Sequence, residues 1–594
     1  MRQIKFYQAL LIFVSAIAGT GIFFTPIILT KHTNLVIYQI YLWIFIGILF
    51  VLFSVVFANM IYILPKKGGI YDYVKHLNKH IGFLAGWLEY FSIVIVSAFL
   101  LNLSLTTLSQ FFSINTIIVS ILLISFFTIL ILLGARISLN VLTAFGLFTL
   151  ITFISVFFYS IFSLIHIDFS RLYINQEEHW ILYLPIMIAA IFETYAGIEI
   201  LGYFANRDNA RKLSKATIFG SIVLYILYIF LTAFMIICSY YFREFYELSF
   251  IGKVLLLLVS LQMFGTIFAW MTSAPNLLYR MAEDENLPSI FKRINKYRVP
   301  SLSVLLTGLL ILFFFLTGAF ESLIKYYFIS IITIYSLVSF TYLKLSNTKK
   351  PFLPKRISKL CAVLSIILSI LLLTLYSKEA IYLTPLLIVG LSFYIAKEIQ
   401  RNKILIRVFH EIFSPIIDKF WVLFTKDDIR IIERLVGDLN NKIILDFGAS
   451  TGPISIYLAE RYNCIVYSSE ISKHALKILK KKIQKKKITN IIPILDEPDR
   501  IFEKFEEFFD IVIAYNTLSF LKERDLFFRD LYRALKPGGV FVAIVYDNIF
   551  KIFEAPSWIK DIDIILSRYG FEAVVIKEKH IMWDKIIIFA KKIR

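Results

Sequence analysis

Three stretches of the chain hold residues whose types and spacing can do chemistry. In the first, Ala18-Gly19-Thr20-Gly21-Ile22-Phe23-Phe24-Thr25-Pro26, two glycines and a proline sit inside an apolar run. A helix interrupted there frees backbone N–H and C=O groups, which hydrocarbon tolerates only where they face protein or a water-filled cavity. A half-helix N-terminus at Gly19, Thr20 and Gly21 presents donors and a positive dipole end to a carboxylate. The alternative is a packing notch for a neighbouring helix. In the second, Ile191-Phe192-Glu193-Thr194-Tyr195-Ala196-Gly197-Ile198-Glu199, the carboxyl of Glu193 lies well inside an apolar run, with Tyr195 and Gly197 beside it. An ionisable group at that depth marks a solute, ion or proton path, or else is a protonated carboxyl hydrogen-bonded between helices. Glu199, nearer the polar end, suits a gate or an interfacial position. In the third, Leu445-Asp446-Phe447-Gly448-Ala449-Ser450-Thr451-Gly452 runs from a β-branched stretch into a glycine-spaced turn, and Glu470 ends the next such stretch. Such a turn lets backbone approach a ligand at the carboxyl edge of a parallel sheet, and an acid about twenty residues on holds ribose hydroxyls. No catalytic base stands out. Cys238, Cys361 and Cys464 lie far apart with no Cys/His cluster, so neither a disulfide framework nor a metal site is indicated.

The elements that position these residues fall into two regimes. Of 594 residues 58% are hydrophobic and only 18% charged, too apolar for an ordinary soluble protein. The apolar runs fill the first two thirds, and charge returns at ordinary density from about Lys397. Apolar stretches separated by polar breaks predict roughly twelve membrane spans over 1–397. They lie near 7–30, 35–63, 82–109, 114–134, 140–165, 181–205, 216–241, 254–279, 301–318, 323–343, 360–376 and 380–396. The first carries Gly19, Gly21 and Pro26 and is followed by many more, so it reads as a span and not as a signal peptide. With the N-terminus inside, roughly 22 Lys and Arg fall in cytoplasmic segments and roughly 6 outside. That bias predicts a multi-pass protein of the cell membrane with both termini cytoplasmic. The net charge of +20 follows from the same bias, so no nucleic-acid partner is inferred. Interruptions in spans 1 and 6 stand five helices apart, the spacing that two inverted five-helix repeats produce around a midplane site.

Residues 398–436 form an amphipathic linker in which Leu405, Val408, Phe409 and Ile412 keep helical spacing and Pro415 reads as a break. It suits a membrane interface or a lid on the next domain. From 437 to 594 short β-branched runs alternate with amphipathic helices, with strands near 443–447, 464–468, 490–495, 510–514, 539–546, 572–577 and 584–591. This predicts βαβ units and a mostly parallel sheet. The run Lys480, Lys481, Lys482, Lys485, Lys486 and Lys487 is a solvated face or rests on anionic headgroups.

The membrane part resembles the amino acid/polyamine/organocation permeases. The resemblance lies in Gly19-Thr20-Gly21-Ile22-Phe23, Pro65-Lys66-Lys67-Gly68-Gly69-Ile70-Tyr71-Asp72-Tyr73, Gly82-Phe83-Leu84-Ala85-Gly86-Trp87, Tyr195-Ala196-Gly197-Ile198-Glu199 and the run from Leu278 to Pro288. It implies a five-plus-five inverted-repeat fold, an amino acid or amine as solute and a carboxylate at Gly19 to Gly21. Asn209-Ala210 and Leu213-Ser214 depart from the family's prolines after span 6, and span 5 lacks the lysine of some proton-coupled members, so H+ and Na+ both stay open as coupling ion. The last part resembles class I S-adenosylmethionine-dependent methyltransferases, a Rossmann-like α/β fold. Asp446, Gly448 and Gly452 match the first motif, with Ser450 where a middle glycine is usual. Glu470 matches the ribose acid, Asp496 the residue near adenine, and the run from Arg533 to Gly539 the turn before strand 5. Ser519-Phe520 replaces a frequent His pair. The resemblances imply a transporter fused to a methyltransferase that binds S-adenosylmethionine. Two other readings remain: a tethered methyltransferase whose permease part is an anchor or sensor, and a transporter regulated by a non-catalytic cofactor-binding domain.

Overall fold

The computed structural model describes residues 4–18, 22, 25, 36–164, 184–241, 250–318, 320–376, 383–495, 501–521, 524–548, 555–579 and 583–593. The chain divides into two compact units, Met1–Asp284 with Phe291–Leu391 and Glu285–Ile290 with Ser392–Arg594.

The first unit is helical. Its helices are α1 (Phe6–Ile17), α2 (Val36–Ile63), α3 (Ile70–Val74), α4 (Lys79–Ser109), α5 (Thr116–Leu132), α6 (Ala135–Leu164), α7 (Leu184–Tyr195), α8 (Ala210–Tyr241), α9 (Phe250–Glu283), α10 (Ser301–Thr317), α11 (Phe320–Leu345), α12 (Lys355–Thr374) and α13 (Thr384–Arg401), the last crossing the division. Among the described residues eight helices are long and apolar enough to cross a membrane, and α1, α5 and α10 are shorter apolar ones. Asparagines punctuate the loops. The Asn78 side chain accepts from the backbone of His80 and Ile81 to start α4, and Asn115 does the same for α5. Inside, many serines and threonines return their hydroxyls to the preceding turn, as Ser92 does to Leu88 at 2.8 Å, which satisfies those hydroxyls within their own helix. Leu122, Phe158, Phe230, Leu309 and Phe313 stand on the outside, an apolar surface that only lipid covers without penalty.

Helix α1 is held by small residues. A Cβ on Gly146 of α6 would stand 2.6 Å from the Leu11 carbonyl, and one on Gly220 of α8 would stand 2.6 Å from the Phe13 ring, so both neighbours approach where a side chain would keep them away.

The second unit contains α14 (Lys403–Val436) and a seven-stranded sheet in the order β3-β2-β1-β4-β5-β7-β6. The strands are β1 (Ile443–Phe447), β2 (Ile465–Glu470), β3 (Ile491–Leu495), β4 (Phe509–Tyr515), β5 (Leu535–Asn548), β6 (Phe571–Lys579) and β7 (Trp583–Lys592). β1 to β5 run parallel, and β7 lies antiparallel to both β5 and β6. Leu535 pairs with Phe509 and Val540 with Ile511, so Lys536–Gly539 bulge out of the ladder between them, with Gly538 at φ +74°. Helices α15 (Pro453–Arg461), α16 (Lys473–Lys486), α17 (Arg524–Ala534) and α18 (Ile562–Arg568) cover the faces. One core layer joins Phe447, Phe502, Phe527 and Phe541, and the other joins Ile444, Val466, Leu479 and Ile513 with Ile429 and Ile432 of α14.

Pro415 does not break the linker: α14 runs through it to Val436. The Ser414 hydroxyl bonds the His410 carbonyl at that turn. Packing of Ile429 and Ile432 into the core supplies what the lost N–H removes.

Candidate functional site

The sixth apolar stretch is interrupted. Helix α7 ends at Tyr195, Gly197 takes φ +116°, and a 3₁₀ segment follows over Ile198–Phe204. A Cβ at Gly197 would come within 3.0 Å of Ile17 and 3.1 Å of Trp270, so its left-handed turn and its contact with the end of α1 both require glycine. The broken backbone is satisfied by side chains. Gly197 N–H donates to the Tyr335 hydroxyl at 3.2 Å, while Tyr228 donates to the Ile17 carbonyl at 3.2 Å and Thr266 to the Ser15 carbonyl at 2.8 Å. Polar main chain at lipid depth thus faces protein.

Tyr195 sits among Trp43, Phe50 and Tyr228, with ring centroids at 5.7, 5.0 and 5.0 Å. Glu193 is partly exposed, and the phenols of Tyr228 and Tyr327 are within reach of its charge. Gly19, Thr20 and Gly21 lie outside the described residues. Sequence reading missed Glu89 altogether. It is wholly buried on α4 and accepts from the Tyr203 hydroxyl at 2.8 Å, while Glu199 accepts from Tyr335. The available signal was a second carboxyl inside an apolar helix, at Leu88-Glu89-Tyr90.

Two distant stretches of the sequence meet at a polar clasp between α3 and the end of α9. Asp72, fully buried, is forked by Arg280, with Nε to Oδ2 at 3.1 Å and Nη2 to Oδ1 at 3.0 Å, and takes the Gly68 N–H at 3.1 Å. Beside it Asp284 accepts from Lys75 and from Tyr71, the latter at 2.6 Å. Partial burial pushes the Asp284 carboxyl up, but hydrogen bonds from Lys75 and Tyr71 outweigh it and hold the group below the usual carboxylate range.

In the second unit the turn after β1 alternates left-handed positions, Gly448 at φ +74°, Ser450 at +52° and Gly452 at +79°. A Cβ on Gly452 would stand 2.2 Å from Leu479, and one on Gly448 2.6 Å from Thr517. Ser450 holds the strained conformation with a side chain, and its buried hydroxyl has no partner. Its N–H donates to Glu470 Oε2 at 2.8 Å, while Glu470 Oε1 takes the N–H groups of Ile471 and Ser472, both at 2.9 Å. The acid at the end of β2 is thereby locked to the turn. Asp446 lies beneath, hydrogen-bonded to Ser455, which in turn is bonded to Ser468 at 2.7 Å. Burial pushes the Asp446 carboxyl up to about 6 against the pull of Ser455, with the charge of Glu470 adding to the rise. Asp496 lies outside the described residues.

Helix α14 lies over this edge of the sheet. Glu411 caps α16 by accepting the N–H groups of Lys473 and His474, at 2.6 and 3.0 Å, and Asp418 takes the Thr451 hydroxyl and Lys482. His410 meets the Phe520 ring edge-on, with a buried Nδ1 that has no partner. Further along, Asp428, 1% exposed, gathers Tyr515 at 2.7 Å, Tyr546 and Lys585 at 2.9 Å. Burial first and then that carboxylate push both phenols up, and Asp428 raises Lys585 against the effect of burial. Glu411 and Asp418 are seven residues apart, hence on one helix face. That spacing was the only sequence signal for them.

An amino acid permease family profile matches residues 4–381, and a methyltransferase domain profile matches residues 445–543. No curated protein matches the chain. Among solved structures, phosphoethanolamine N-methyltransferase 2 of Haemonchus contortus, bound to phosphomonomethylethanolamine and S-adenosylhomocysteine, is 16% identical over 28% of this chain and 52% of its own, with a TM-score of 0.26. The chain thus spans about half the length of that enzyme. A SAM-dependent methyltransferase of Aquifex aeolicus is 19% identical over 30% of this chain and 97% of its own, with a TM-score of 0.26. The YcgJ protein of Bacillus subtilis is 10% identical over 28% of this chain and 99% of its own, with a TM-score of 0.25.

Proposed function

Because the chain belongs to the amino acid permease family through residues 4–381 and carries a methyltransferase domain at 445–543, we propose that it is a secondary transporter of amino acids or related amines joined to a cytoplasmic S-adenosylmethionine-dependent methyltransferase. In this reading twelve spans, ten of them in two inverted repeats, lie in the cell membrane with both termini in the cytoplasm. The observation that carries it is the left-handed break at Gly197, pressed against the end of α1 and satisfied by Tyr335. A solute carboxylate then takes the N–H groups of Gly19, Thr20 and Gly21, and an amine turns to Glu193 beside the rings around Tyr195. Uptake of labelled amino acids into proteoliposomes tests it. Wild type accumulates label, and the absence of uptake beside intact methylation leaves only a tethered enzyme with an anchor or sensor.

Support for S-adenosylmethionine in the second unit comes from the turn after β1, where the unpartnered Ser450 hydroxyl and the carboxyl of Glu470, which takes the Ser450 N–H, lie at the carboxyl edge of the sheet. With Asp496 these residues would hold the cofactor, which when bound supplies an electrophilic methyl group. Helix α14 would keep water from that edge, and reaction would rest on positioning the acceptor more than on acid–base help. Calorimetric titration of the full chain with S-adenosylmethionine tests the pocket: Glu470→Ala abolishes the heat, and equal heats for both proteins dismiss the cofactor. One observation favours the regulatory reading, in which the cofactor binds without turnover: α14 is tied to α16 and to the turn after β1 through Glu411 and Asp418. It predicts binding with no methyl transfer and an uptake rate that depends on cofactor.

A further inference from the structure

The first half of α14 has two unlike sides. Ile404, Val408, Ile412 and Ile416 recur every fourth residue, and Phe413, three residues before Ile416, widens the stripe. That spacing puts them on one face of the helix. The face is bare: Ile404 is 71%, Ile412 62% and Ile416 54% exposed, and Val408 and Phe413 are exposed as well. Ile406 and Ser414 are buried on the other side, where Glu411 and Asp418 hold α16 and the turn after β1. The polar groups of this helix therefore meet protein while five large apolar side chains point away from it, the reverse of what water selects.

Helix α16, which Glu411 and Asp418 keep beside α14, carries a second feature. Lys473, Lys477, Lys480, Lys481 and Lys485 are all exposed and share one broad side of it. Lys482 and Lys486, on another side, are taken by Asp418 and by Glu460, the latter at 2.8 Å. Among the described residues none of the five exposed lysines forms an ion pair. Asn402 alone separates α14 from α13, an apolar helix on which Ile395 is also exposed, so the bare stripe starts directly after it.

An apolar stripe with unpaired cations on the neighbouring helix complements a bilayer whose headgroups are negative: the apolar side chains enter the acyl boundary and the lysines meet phosphate. We propose that the first half of α14 is a membrane-surface helix, seated in a bilayer that contains anionic phospholipid, with the exposed lysines of α16 meeting its headgroups. Asp418 on the inner side of the same helix takes the Thr451 hydroxyl. A seated α14 thus holds the turn after β1 about one helix diameter, ~10 Å, from the lipid surface. The seat depends neither on the solute that the chain carries nor on whether S-adenosylmethionine binds.

The test uses the full chain, its own cysteines replaced by serine and a nitroxide attached at Ile412→Cys, in vesicles of phosphatidylglycerol and phosphatidylcholine. Relaxation by oxygen, which concentrates in lipid, and by a water-soluble nickel chelate reads where the label lies. Oxygen is expected to dominate at Ile412→Cys and nickel at Lys577→Cys, an exposed control on β6. In phosphatidylcholine alone, or with Lys477, Lys480 and Lys481 all changed to Gln, the oxygen-to-nickel ratio at Ile412→Cys is expected to fall severalfold toward that of the control. Monodisperse elution of each variant confirms that it folds. Equal ratios at the two positions, or exclusion of both reagents from Ile412→Cys in every vesicle, as a protein cover would give, overturns the proposal. A high ratio that ignores vesicle charge and the lysines overturns the part played by α16. Hydrogen exchange of the unaltered chain reads the same helix without any substitution. Amides over 404–416 are expected to exchange more slowly in the phosphatidylglycerol vesicles than in phosphatidylcholine alone, and identical rates overturn the anionic seat.

Discussion

At the scale of single residues the second unit makes a pH-dependent prediction. Asp446 has its carboxyl raised from the ordinary 3.8 to about 6, chiefly by burial. A carboxyl raised on folding favours the protonated form in the native state. Its contribution is therefore fully present below about pH 4 and is lost as pH climbs through about 6, a swing of about 3 kcal/mol at most. Denaturant unfolding of this unit is expected to show that loss, and Asp446→Asn to flatten it. The same slope in both proteins would mean that another group is responsible. In the membrane unit Gly197→Ala places a Cβ at φ +116° and 3.0 Å from Ile17. The left-handed conformation alone costs about 1–2 kcal/mol, and crowding adds to it. Loss of solute uptake, with a lower melting temperature in detergent, is the expected outcome.

Between elements, two clasps deserve separate tests. Asp72 of α3 is fully buried and forked by Arg280 of α9. Removing the guanidinium leaves the buried carboxylate with Lys75 at 3.6 Å and the Gly68 N–H in place of its fork, so Arg280→Met is expected to destabilise by roughly 3 kcal/mol, and Asp72→Asn added to it to recover much of the loss. Thermal unfolding in detergent measures both, and additive effects would show that the pair is not coupled. Helix α14 contributes Ile429 and Ile432 to the core of the sheet domain. A fragment of residues 403–594 is therefore expected to unfold cooperatively, and one of 437–594, which lacks those side chains, to lose that transition. Ile432→Ala in the longer fragment costs roughly 2–5 kcal/mol if the packing is as described.

For the whole molecule, the separation into a lipid-facing part and a water-facing part was written in the sequence, because each solvent imposes a local rule. Hydrocarbon cannot hydrogen-bond, so every span must be a long apolar helix, and the Lys and Arg of the loops record which side they face. The helices over 36–63 and 79–109 follow directly from that rule, as does a break near Gly197, where glycine stands beside a carboxyl. The turn from Asp446 to Gly452 and Glu470 at the end of β2 were equally legible, since strand, turn and helix follow one another along the chain. The pairing of distant side chains was not. Nothing in Glu89 alone says that it meets Tyr203, and nothing in Asp72 points to Arg280 across 208 residues. Pro415 read as a break because its local cost is visible and its compensation, a helix face buried against the sheet, is not. Local preference and solvent choose the elements, whereas the rotation and depth at which two helices pack choose which side chains touch. That choice depends on the fit of every neighbour at once, and only the tertiary structure contains it.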